Sequence, residues 1–139
     1  MHPVTAKTPR QRPQFRNIHV FELRHYRLPA AGIVSILHRI SGALMFLLLP
    51  FTLYLLERSL TSESTYEYLH GFASHWFVKL IILALSWAYL HHFTAGIRHL
   101  FMDMHCLLSK EGSRNSAVTV LAISLFLTLL VALKLFGVF

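Results

Sequence analysis

Charged residues are scarce in this 139-residue chain. Only 14% are Asp, Glu, Lys or Arg, against about a quarter in ordinary soluble domains. A small soluble domain has a large surface to cover relative to its volume, and so few charges do not cover it. That excludes a soluble enzyme and a disordered protein. Cysteine is nearly absent. Cys106 stands alone, so no internal disulfide forms and a disulfide scaffold is excluded. Covalent haem attachment through a Cys-x-x-Cys-His motif is excluded as well. The first 30 residues contain no apolar stretch, so neither a cleavable signal peptide nor a span is expected there. Strand-like alternation and internal repeats are also missing.

What is present is apolar. Hydrophobic residues make up 55% of the chain and the mean hydropathy is +0.52. Three runs have about the 20 residues needed to cross a 30 Å hydrocarbon core: residues 30–56, 77–97 and 117–139. The first carries Pro50, whose kink and freed carbonyl a membrane bundle can absorb. The third is broken only by Lys134, which can snorkel to the interface. The expected fold is therefore an all-α membrane protein with three transmembrane helices. A basic arm over residues 1–29 precedes a membrane domain over 30–139. Between the spans lie loops at 57–76 and 98–116. The first includes a polar segment at 61–65 and an aromatic stretch suited to the membrane interface. In the second, residues 112–116 supply a turn and a start signal.

The net charge of +7 suggests a nucleic-acid partner, but its distribution does not. Six of the 13 Lys and Arg residues fall in the first 30 positions: Lys7, Arg10, Arg12, Arg16, Arg24 and Arg27. A basic arm ahead of apolar runs marks the cytoplasmic flank of a membrane helix, and no nucleic acid is expected to bind. Arg98, Lys110 and Arg114 enrich the second loop, whereas the first loop has Arg58 and, at its edge, Lys79, against Glu57, Glu63 and Glu67. The N-terminus and second loop are thus expected in the cytoplasm, and the first loop and C-terminus outside.

This topology brings two polar clusters to one depth. The start of span one holds Ser35, His38, Arg39, Ser41 and Gly42. The end of span two holds His91, His92, Thr94, Gly96, Arg98 and His99. Ionisable groups inside a membrane are costly and point to function. At 100° per residue, Ser35, Arg39 and Gly42 share one face, and so do His92, Gly96 and His99, while His91 points about 100° from His92. A histidine one turn from a glycine suits a flat macrocycle, because imidazole binds iron and the missing side chain admits the ring. Each residue also has a plain explanation: a lone intramembrane His is more often a helix contact than a ligand. Arg39 can be a snorkelling anchor, and Arg98 and His99 ordinary interfacial residues. His19, His25, His70, His75 and His105 read as solvated, and Trp87 and Tyr89 as packing. The joint occurrence of Ser35, His38, Arg39 and His92 favours a site.

The two clusters resemble those of a known family. Ser35-Ile-Leu-His-Arg-Ile-Ser-Gly42, after Pro29, is similar to the signature opening the first span of the cytochrome b556 subunits of succinate dehydrogenase. The stretch from His92 to Asp103 is similar to the signature closing their second span, and Arg12-Pro13 resembles a short motif in their N-terminal arm. The resemblance implies one of two small membrane anchors of respiratory complex II in a bacterial inner membrane, multi-pass, with a periplasmic C-terminus. The implied partners are a second membrane-anchor subunit, an iron–sulfur subunit and a flavoprotein subunit, together with membrane lipid. The implied cofactor is one haem b shared with the partner anchor, and the implied substrate is ubiquinone. His92 would be an axial ligand to the haem iron, and His38 and Arg39 would meet the haem propionates. Ser35 and Arg39 would line the quinone site. His91, adjacent to His92, is the fallback ligand. A haem-free scaffold docking soluble redox subunits is the main alternative. A histidine-based metal or proton transporter fits less well, because three spans are few and no inverted repeat or broken helix pair is visible.

Overall fold

In the computed structural model, the residues described are Phe21, His25 and 27–138. Most of the basic arm, including its Arg12-Pro13 motif and His19, lies outside them, and Arg27 is the one Lys or Arg of the arm among the described residues. The described residues form four α-helices: α1 (Ala30–Thr61), α2 (Glu63–Ala73), α3 (Trp76–Asp103) and α4 (Lys110–Leu135). Three of these, α1, α3 and α4, are long and apolar enough to cross a membrane. This is an all-α, multi-pass membrane protein with three spans.

Local chemistry sets the helix ends. Pro29 is extended and its carbonyl accepts from the Gly32 and Ile33 amides, which starts α1. The α1 helix continues through Pro50 as a single 32-residue element. Ser62 and Ser109 cap α2 and α4, their hydroxyls accepting from the Thr65 and Gly112 amides at 3.2 and 3.0 Å. Such caps satisfy amides that would otherwise lack partners at a helix start.

Two expected loops are largely helical. Within 57–76, α1 runs on to Thr61 and α2 occupies Glu63–Ala73. Glu and Arg are good helix formers, so the helix persists past the point where apolar composition stops. Within 98–116, α3 extends to Asp103 and α4 starts at Lys110, leaving only residues 104–109 as the connection. In that short link His105 and Leu107 adopt φ of 60° and 64°, a left-handed conformation uncommon for non-glycine residues.

The three spans pack as a triangle, each touching the other two. Their shared seam is built from small and branched residues: Val34 of α1, Ala95 of α3, and Ala117 and Val120 of α4. Lipid tails are as apolar as leucine, so close backbone approach through small residues supplies the packing. Most large apolar side chains, among them Phe46, Leu47 and Phe126, face outward. Arg98 is a correction to the interfacial expectation: it is only 4% exposed. Its Nε donates to Ser116 Oγ at 2.9 Å, and its Nη2 donates to the Ser113 carbonyl and hydroxyl at 3.3 and 3.2 Å. It thus clamps α3 to the first turns of α4.

Candidate functional site

The site grows from the N-terminal part of α1 and the C-terminal part of α3, which run antiparallel. His92 Nδ1 lies 3.0 Å from the His38 carbonyl oxygen and 3.3 Å from Ser41 Oγ. A carbonyl only accepts, so Nδ1 carries the proton and Nε2 keeps its lone pair. This is the arrangement that prepares an imidazole to bind a metal through Nε2, with the second nitrogen holding tautomer and ring orientation. Ser41 Oγ donates to the same His38 carbonyl at 3.0 Å and completes the brace.

Glycine 42 makes room for that ring. A Cβ added there would sit 2.7 Å from His92 Cε1, so a side chain at this position and His92 in this position exclude one another. The His38 ring stacks on His92, with centroids 4.1 Å apart and planes 10° from parallel. His38 stacks in turn against His99 at 4.7 Å. The Nδ1 of His99 donates to the Ala95 carbonyl at 2.7 Å. Gly96 faces His38, not an open slot: its nearest neighbour would be His38 Nε2 at 3.7 Å, an ordinary contact. The close fit is therefore at Gly42, and Gly96 merely accommodates an imidazole.

The structure separates the two adjacent histidines. His91 is 1% exposed and turned into the seam among the three spans, beside Trp87 at 5.5 Å between ring centroids. Among the described residues, neither of its ring nitrogens has a partner at hydrogen-bond geometry, nor does Trp87 Nε1. Each such group costs about 1–3 kcal/mol. Buried there, His91 cannot reach a group bound outside the bundle, whereas the half-buried His92 can.

Ser35 is half-buried and Arg39 exposed one turn further along α1. Neither makes a side-chain hydrogen bond or ion pair among the described residues, which leaves a hydroxyl and a guanidinium open to an incoming polar group at one end of the bundle. His70, His75 and His105 are exposed, as expected of solvated residues. Among the described residues no three His, Cys, Asp or Glu side chains converge to hold a bare metal ion. Sequence reasoning missed the bracing role of Ser41 and the stacking of His99. Both residues fall within the quoted motifs, but neither contact follows from helical spacing alone.

Residues 9–131 match the family model described as succinate dehydrogenase/fumarate reductase transmembrane subunit. The chain belongs to this family. Among curated relatives, the succinate dehydrogenase cytochrome b556 subunit of Coxiella burnetii is 40% identical over 105 residues, which is 74% of this chain and 83% of the relative. The subunit of the same name from Paracoccus denitrificans is 31% identical over 114 residues, 82% of this chain and 88% of its own. The cytochrome b560 subunit of Marchantia polymorpha is 29% identical over 110 residues, 76% and 80% of the two chains. As a member of the succinate dehydrogenase/fumarate reductase family, the chain is a membrane-anchor subunit of a succinate dehydrogenase complex. The matched residues span both α1 and α3, and so include every side chain of the histidine cluster.

Proposed function

We propose that this anchor binds one haem b, shared with a second membrane-anchor subunit, and forms part of the site where ubiquinone is reduced. The residues present fit a haem. His92 offers an Nε2 lone pair with its Nδ1 proton already engaged by the His38 carbonyl at 3.0 Å, and this single observation carries the reading. The Gly42 notch supports it, since the ring position is one that a side chain there would abolish. Haem supplies a one-electron iron couple when bound. His92 would hold the iron from this chain, and a residue of the partner anchor would supply a further ligand. His38 and Arg39 would receive the propionates, and burial and packing would replace a covalent tether.

Ser35 and Arg39 would line the quinone site. A quinone's carbonyl oxygens gain negative charge on reduction and take up two protons. The Ser35 hydroxyl can donate a hydrogen bond to one of them, and the Arg39 guanidinium can orient the headgroup and offset the charge. A flavoprotein subunit would oxidise succinate, and an iron–sulfur subunit would deliver the electrons to this end of the bundle. The enrichment of Lys and Arg at that end supports a cytoplasmic location for it in a bacterial inner membrane, with the C-terminus in the periplasm.

The test is a reduced-minus-oxidised spectrum and pyridine haemochrome of the assembled complex. His92→Ala removes or severely perturbs the b-type signal, while His91→Ala leaves low-spin haem. A normal six-coordinate spectrum in His92→Ala would refute the ligand assignment. A wild-type complex without haem would leave the scaffold reading standing.

A further inference from the structure

The connector helix α2 is unlike the spans it joins. It has 11 residues and none of them is buried. Its half-buried positions, Thr65, Leu69 and Ala73, recur every fourth residue and form one stripe, as expected of the side that packs on the rest of the bundle, chiefly α1. At 100° per residue, Tyr66 flanks that stripe on one side, and Tyr68 and Phe72 flank it on the other. Glu63, Glu67 and His70 occupy the opposite side. The apolar arc is therefore about 160° wide, broader than contact with α1 uses. Tyr68 and Phe72 are left 73% and 56% exposed.

We propose that α2 lies flat on the bilayer surface, at the end of the bundle away from the histidine cluster, with Tyr68 and Phe72 sunk among the lipid headgroups. The occupant of this face is phospholipid. The chain ties this helix closely to the membrane edge: α2 follows α1 after the single residue Ser62, and the exposed Trp76 at the start of α3 comes within three residues of its end. Tyr and Trp are at home at headgroup depth. A helix with one apolar arc and one charged arc lies in the interface plane. The carboxylates of Glu63 and Glu67 stand on the arc turned to water. The same helix pins the α1–α3 connection to a fixed depth. The inference holds whichever face of the membrane is cytoplasmic, and does not involve haem or quinone.

Photocrosslinking in native membranes tests it. Tyr68, Phe72 or Glu67 is replaced singly by p-benzoylphenylalanine in the full complex, and this chain is read by intact mass after illumination. At 68 and 72 the main product is the chain plus one phospholipid. At 67 the lipid yield is lower by a factor of about five or more, since the water-facing arc meets few lipid C–H bonds. Products joined to another protein chain at 68 and 72 would show that a subunit covers this face, and would overturn the proposal. Equal lipid yields at all three sites, or no adduct at 68 and 72 in a complex of normal flavin content, would overturn it too. Tyr68, the more exposed position, decides the matter if the Phe72 variant does not assemble.

Discussion

Replacing Gly42 by alanine tests the geometry at its tightest point. The new methyl would stand 2.7 Å from His92 Cε1, where ordinary contact begins at 3.4 Å. The ring would have to retreat by about 0.7 Å to reach ordinary van der Waals distance. A retreat of that size along the Nδ1 bond, now 3.0 Å, would stretch it to about 3.7 Å, beyond hydrogen-bond range. The lost bond alone is worth about 0.5–1.5 kcal/mol, and losing the partner that orients a metal-binding imidazole typically costs 10–100-fold in affinity. Gly42→Ala is therefore expected to lower the haem-to-flavin ratio of the purified complex. It should also speed haem transfer to an apoprotein acceptor by about 10–100-fold. Gly96→Ala is the matched control. Its methyl meets His38 Nε2 at 3.7 Å, and alanine suits a helix interior better than glycine by about 1 kcal/mol, so haem content stays at the wild-type level. Full haem content and an unchanged transfer rate in Gly42→Ala would refute the reasoning, because a displaced His92 could not then be the ligand.

Ser35→Ala and Arg39→Leu should each depress succinate–quinone reductase activity, by tens- to about a thousand-fold if that step limits turnover. Reduction of an artificial acceptor that draws electrons from the flavin should be spared, and Arg39→Lys should rescue only in part because an ammonium lacks the planar fork. Wild-type quinone reduction in both variants would make these residues structural. Reporter fusions after residue 139 and within 61–65 should both report the periplasm, and a cytoplasmic signal from either would contradict the assigned orientation. Ser116→Ala leaves the buried Arg98 guanidinium short of a partner, at a cost of about 1.5–3 kcal/mol. Less of the chain should then survive in assembled complexes on thermal challenge, with the haem spectrum of the survivors unchanged; wild-type thermal survival would show that Arg98 does not hold α3 to α4.

The spans were legible because stretches of about 20 residues without net charge have few alternatives. Their ends were not: hydropathy falls where the hydrocarbon ends, while the backbone stays helical through Glu57 and Arg58 and on to Asp103. The α2 helix was hidden for the same reason, although Ser62 as a cap and the four-residue spacing of Thr65, Leu69 and Ala73 were available signals. In the site, the 100° step from His91 to His92 was readable, but the inward-facing member of the pair is settled only by the seam that α4 completes. Arg98 was misread because its partners, Ser113 and Ser116, lie across the bundle on another helix, and sequence distance carries no sign of that pairing.

The unequal lengths of the three spans have a mechanical consequence. With 32, 28 and 26 residues, α1, α3 and α4 measure about 48, 42 and 39 Å at 1.5 Å per residue, against a hydrocarbon slab of about 30 Å. Each helix therefore outruns the slab and must lean or project from it. A bilayer that thins or thickens by a few ångströms can be met by sliding along surplus helix, without breaking an intramembrane hydrogen bond. Thickness changes that would strain a shorter anchor are absorbed at its ends, and the spacing between His92 and the His38 carbonyl is left undisturbed.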